Sequence, residues 1–125
     1  MRVAVDIDGT LDSNPRELQT MMSALTAAGH IVSVITGTSD GPPAQPDFDN
    51  KANYLTNLGC GECWHDMTVI SHPGGNKQLA DVKAQWCIEN GVDALIDNTI
   101  ANVRAASKAG VPLVLVPWAS RVKDK

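Results

Sequence analysis

Three segments of this chain repeat one pattern: a helix-like run, a glycine, then a short apolar run. They are LQTMMSALTAAGHIVSVITG, VKAQWCIENGVDALID and NVRAASKAGVPLVLVP. Gly29, Gly91 and Gly110 fall where a helix ends in a left-handed residue, a conformation that costs glycine little. The runs after them are β-branched and apolar on both faces, as strands inside a parallel sheet must be. Strands alternating with helices imply right-handed crossovers and a sheet covered on both faces. The pattern predicts strands near 2–7, 31–36, 67–71, 93–97 and 112–116, and helices near 15–28, 49–58, 82–90 and 99–109. At the first helix, Asn14, Pro15 and Glu17 read as N-cap, first-turn proline and capping-box acid. GPPAQPDFD, 41–49, reads as a proline-rich loop. The expected architecture is α/β: a single Rossmann-like three-layer α/β/α domain over 1–125, its five parallel strands in the order 3-2-1-4-5.

Composition narrows the function classes. A chain of 125 residues with 43% apolar residues suffices for one core. No apolar run approaches the roughly 18 residues of a membrane span, and the first apolar stretch breaks at Asp6, unlike a signal peptide. A net charge of −4 argues against non-specific nucleic-acid binding. Three cysteines do not make a disulfide framework and point to a reducing, cytoplasmic setting.

In sheets of this kind ligands bind beyond the carboxyl ends of the strands. Polar residues gather there. The first strand ends in Asp6 and Asp8, the second in Thr36-Gly37-Thr38, and the fourth in Asp97-Asn98. Burying unpaired carboxylates is costly, so Asp6 and Asp8 call for a positive partner.

DIDGT at 6–10, the apolar strand ending in Thr36, a lysine opening a later helix and the apolar strand ending in Asp97 together resemble the haloacid dehalogenase superfamily. They stand in the order of its four motifs, and the likeness spans essentially the whole chain. KAQWCIENGVDALIDN, from Lys83 onward, also resembles the small single-domain phosphatases of that superfamily. The resemblance implies a magnesium-dependent phosphatase in which Asp6 is the nucleophile and forms an aspartyl phosphate. Asp8 would be the general acid and base. Mg2+ would be held by the Asp6 carboxylate, the Asp8 backbone carbonyl and the Asp97 carboxylate. Thr36 and the Gly37 amide would bind a phosphoryl oxygen, and a lysine would neutralise the phosphoryl group. Lys83 is preferred for that lysine, because Asp81 as N-cap would put it in the first helical turn; Lys77, after HPGGN, is the alternative.

Asn98 departs from the two adjacent acids common in the fourth motif. Its amide would orient a metal-bound water, at the loss of one negative charge. The spacings after the first motif and after the third strand leave no room for a cap domain. The implied substrate is a phosphomonoester: a nucleotide, a sugar phosphate or a macromolecular end. A large substrate or a second copy of the chain would cover the open site. The alternative is a non-catalytic or weakly active metal- or phosphate-binding module. A response-regulator receiver is disfavoured, because its phosphorylated aspartate follows the third strand, where MTVIS ends in serine.

Other signals read as structural. Cys60, Cys63 and His65, in CGECWH, have half a zinc-site spacing but lack a second ligand pair, with only His72 and Cys87 elsewhere; they read as loop and core. His30 reads as a surface histidine and Trp86 as core. Trp64 and Trp118 are either core or pocket residues, and Arg121 and Lys123 read as a solvated tail.

Overall fold

A computed structural model describes residues 1–38 and 45–117, the side chains of residues 45 and 46 excepted. Trp118, Arg121 and Lys123 lie outside the described residues, as does the first part of the 41–49 loop. The elements run β1 (Arg2–Asp6), α1 (Pro15–Ala27), β2 (Ile31–Thr38), α2 (Gln45–Asn57), β3 (Asp66–Ser71), α3 (Asn76–Glu89), β4 (Ala94–Ile96), α4 (Ile100–Ala109) and β5 (Leu113–Leu115). All strand pairs are parallel, in the order β3-β2-β1-β4-β5. This is the expected Rossmann-like order.

Alternate strand residues face opposite sides, and this divides the core in two. Val3, Val5, Val32 and Val34 pack with Leu18 and Met22 of α1 and Leu55 of α2. Ala4, Ile35 and Leu95 pack with Ala84 and Cys87 of α3 and Ala106 of α4. Handedness explains the division. The chain steps one way from β1 to β3, so right-handed crossovers put α1 and α2 on one face. It then returns across the sheet to β4 and β5, which puts α3 and α4 on the other. The connections leaving β1 and β4, adjacent strands, therefore diverge to opposite faces. A crevice opens between their carboxyl ends.

Gly29, Gly91 and Gly110 all have positive φ, at 91°, 64° and 107°, and end their helices as read from the sequence. Asn14 occupies the N-cap of α1, but its side chain makes no capping bond. Two helices start earlier than their sequence suggests. Pro46 is compatible with a helix's first turn, so α2 begins at Gln45 rather than near 49. Correspondingly, α3 begins at Asn76 rather than near 82, with Gly75 at its N-cap (φ 100°). Gly74 donates its amide to the Gln78 side chain at 2.6 Å, which closes the turn and lets the helix start immediately. Asp81 is therefore an exposed residue inside α3, not its cap.

The opposite, amino-terminal edge is held by Arg2. Its guanidinium bonds Ser33, the Asn90 carbonyl and Asp66, and lies 5.3 Å from the Trp86 ring centre. Among the described residues, no helix is long and apolar enough to cross a membrane.

Candidate active site

The residues after β1 turn sharply. Asp8 (φ −70°, ψ 117°) and Gly9 (φ 79°, ψ −7°) have the angles of a type II turn, whose third position requires positive φ. Asn98 presses on this turn: a Cβ at Gly9 would collide with its side-chain amide. Glycine is needed there on both counts. The Gly9 amide donates to Asp12 Oδ1 at 2.7 Å, and Asp12 N closes the turn on the Ile7 carbonyl.

At the crevice, Asp6 and Asp97 come from neighbouring strand ends and meet Lys83. Lys83 Nζ donates to Asp6 Oδ1 at 2.9 Å and to Asp97 Oδ2 at 2.8 Å. All three are buried, Lys83 at 1% exposure and Asp97 at 0%. The lysine choice made from sequence thus reaches the strand ends, but for a different reason. Lys83 lies two turns inside α3 on its inward face, whereas Lys77, in the first turn, is exposed.

One buried ammonium between two buried carboxylates leaves an excess negative charge. Burial raises the Asp6 carboxyl, Lys83 pulls it down and Asp97 pushes it up, with a net value of about 6. For Lys83, burial alone would lower the pKa. The two carboxylates outweigh it and hold the ammonium above the ordinary lysine range. Lys83 therefore stays protonated where Asp6 titrates.

The remaining bonds orient these carboxylates. Thr10 Oγ1 lies 3.0 Å from Asp6 Oδ2 and accepts from Asn98 N at 3.0 Å. Asp97 Oδ1 accepts from Thr99 N at 2.9 Å, and Oδ2 also accepts from Asn102 Nδ2 at 3.0 Å. Thr10, Thr99 and Asn102 are site residues that sequence reasoning missed. Asn102 had one usable signal, since it lies in the first turn of the helix that follows Asp97.

Thr36 is fully buried near the end of β2, and its hydroxyl has no hydrogen-bond partner among the described residues. Gly37, next to it, lines a cleft of about 400 Å³ together with Asp6, Asp8, His72, Asn76 and Asn102. A Cβ at Gly37 would lie 2.6 Å from His72 Nε2, so the β2 terminus and the loop after β3 are in close contact there. Asp8 faces this cleft with a largely exposed side chain, 3.8 Å from Lys51 Nζ of α2.

Asn98 also serves the turn after β1. It is 1% exposed, and its backbone and Oδ1 both engage Thr10. It latches the turn onto β4 rather than lining the cleft. Asn98→Asp would add a third buried carboxylate beside Asp6 and Asp97. The metal-free variant is expected to be destabilised at pH 8 by about 1–3 kcal/mol, read by urea denaturation. Unchanged stability would show that the side chain reaches solvent.

A hard divalent cation takes oxygen ligands, and the donors present fit one. Asp6 and Asp97 each retain unused oxygen lone pairs and together carry more charge than Lys83 cancels. Among the described residues, no group of three or more His, Cys, Asp or Glu side chains is arranged for a metal.

Cys60 and Cys63 lie in the core under α1 and α2. Their thiols point to the Pro15 and Cys60 carbonyls, and burial pushes both thiols up, Cys60 to about 11. His65 accepts the Val32 amide through Nδ1, and Trp64 donates to the Cys60 carbonyl. CGECWH is a packed connection.

Fold and site together define an open parallel α/β protein with a buried Asp–Lys–Asp arrangement at its switch point. No family model and no curated protein matches the chain.

Proposed function

We propose that the protein is a magnesium-dependent phosphatase of the haloacid dehalogenase type, hydrolysing a phosphomonoester through an aspartyl phosphate on Asp6. The observation that carries this reading is the Asp6–Lys83–Asp97 contact beside a cleft that also receives Asp8. The Thr36 hydroxyl, unpartnered among the described residues, is a second support, since an orphaned buried donor gains most from an incoming oxyanion.

Asp6 is held by Lys83 and Thr10, one on each oxygen, so its carboxylate is fixed in orientation before substrate arrives. A carboxylate oxygen attacks phosphorus as the bond to the leaving oxygen breaks. Asp8, exposed to the cleft, donates the proton that the leaving oxygen needs. It then takes a proton from the water whose attack on phosphorus releases phosphate and restores Asp6. Magnesium, when bound by the Asp6 and Asp97 carboxylates and the Asp8 carbonyl, supplies the charge neutralisation that lets one anion approach another.

Release of phosphate from an aryl phosphate, with and without magnesium, tests the reading directly. Phosphate release that depends on magnesium and on Asp6 is the expected result. Its absence would leave a metal- or phosphate-binding module. Asp8→Asn is expected to slow turnover by roughly 10²-fold or more while preserving magnesium affinity, because the proposed metal contact is a backbone carbonyl. Equal losses of rate and of affinity, measured by magnesium titration, would reject that division of roles.

A further inference from the structure

Lys83 is an incomplete partner for a phosphoryl dianion. It is 1% exposed and already donates to two carboxylates. The site brings three carboxylates, Asp6, Asp8 and Asp97, against that one ammonium. Magnesium held by Asp6 and Asp97 would offset their charge, but with Lys83 committed to both carboxylates an accessible side-chain cation is still needed to bond a phosphate oxygen directly.

Lys51 meets that need by position. Its ammonium is 3.8 Å from Asp8 Oδ2, and its side chain is partly exposed at 29%. That contact is longer than a hydrogen bond and involves a largely solvated carboxylate, so it is a weak pairing. The helix carrying Lys51 is, in contrast, well anchored. One turn further along α2, Tyr54 donates its hydroxyl to Asp12 Oδ2 at 3.0 Å, and Asp12 in turn accepts the Gly9 amide. α2 is thereby tied to the turn that presents Asp8, and Lys51 is kept beside Asp8, which lines the cleft.

We infer that Lys51 is a second phosphate-binding residue, exchanging its loose contact with Asp8 for a charge-assisted bond to a phosphate oxygen. A dianion outcompetes a solvated monoanion for the same ammonium, and the exchange leaves Asp8 free to face the leaving oxygen. This assignment rests on the phosphatase reading for its consequence in turnover, but the binding itself is measurable without turnover.

The test is calorimetric titration of inorganic phosphate, in magnesium, into wild type, Lys51→Met and Lys51→Arg. Lys51→Met is expected to weaken phosphate binding by roughly ten- to a hundredfold, with Lys51→Arg recovering most of it and all three melting within a few degrees. In turnover of the aryl phosphate, KM should rise in Lys51→Met by a similar factor. Equal phosphate affinity in wild type and Lys51→Met overturns the inference, as does a wild type that binds no phosphate. Wild-type turnover with a phosphate affinity indifferent to Lys51 would reject this residue and leave the phosphatase standing. Lys51-dependent phosphate binding without turnover would do the reverse.

Discussion

Asp6→Asn is expected to lower turnover by roughly 10³-fold or more and, in the same purified protein, to raise metal-free stability at pH 8. Both effects have one origin. Burial raises the Asp6 pKa from 3.8 to about 6, so the ionised carboxylate required for attack is the form the fold disfavours. A raised carboxyl pKa adds stability below the unfolded value near 3.8, and that stability disappears as pH rises through about 6. Above pH 6 the wild type carries an ionisation cost of about 3 kcal/mol, which follows from a shift of about two pKa units. Asparagine keeps one acceptor oxygen for Lys83 without that charge, and its NH2 group can donate to the Thr10 hydroxyl oxygen in place of the bond now accepted by Asp6 Oδ2. Denaturation at pH 8 should therefore favour the variant by up to that amount, and the difference should vanish near pH 4. A variant that is less stable at pH 8, or one that retains wild-type turnover, would contradict this account of Asp6.

Lys83→Met acts on the same contact with the opposite sign. Removing the cation leaves Asp6 and Asp97 facing each other, buried at 6% and 0% exposure. Breaking a buried ion pair from one side costs about 3–5 kcal/mol, which for a domain of this size lowers Tm by roughly 10–20 °C at pH 8. The loss should shrink at pH 5, where Asp6 accepts a proton in place of the ammonium. Lys77→Ala, an exposed change in the first turn of α3, should stay within about 0.5 kcal/mol of wild type and keep its activity. A Lys83→Met protein as stable as wild type at pH 8 would mean that the lysine does not compensate those carboxylates. The two variants move the local charge in opposite directions: Asp6→Asn leaves Lys83 balanced by Asp97, whereas Lys83→Met leaves two carboxylates with no cation between them.

Two structural features of α2 and α3 show where local reading loses force. Asp81 has the composition of an N-cap, but α3 passes straight through it, because Gly74 and Gly75 supply the turn and Gln78 satisfies a loose amide. Capping preferences of about 1 kcal/mol yield to a tertiary route that already closes the loop. Lys51 lay within an expected helix, yet nothing in its neighbours tied it to Asp8, 43 positions earlier in the chain.

What the amino-acid sequence by itself determined is whatever depends on local backbone chemistry and periodicity. Gly29, Gly91 and Gly110 mark helix ends because only glycine takes positive φ without strain. The two-sided apolar runs mark buried parallel strands, and the expected order β3-β2-β1-β4-β5 is the one the structure has, with crossover handedness setting which face each helix covers. Asp6, Thr36 and Asp97 follow from that order, since each stands at a strand's carboxyl end. Only the tertiary structure decided which side chains meet there. Lys83 reaches Asp6 across 77 positions of sequence, Thr10 reaches Asn98 across 88, and Asn98 becomes a latch rather than a cleft residue. The physical reason is that a side chain's partner and burial depend on how separate elements pack, and periodicity within one element says which face is inward but not what awaits it.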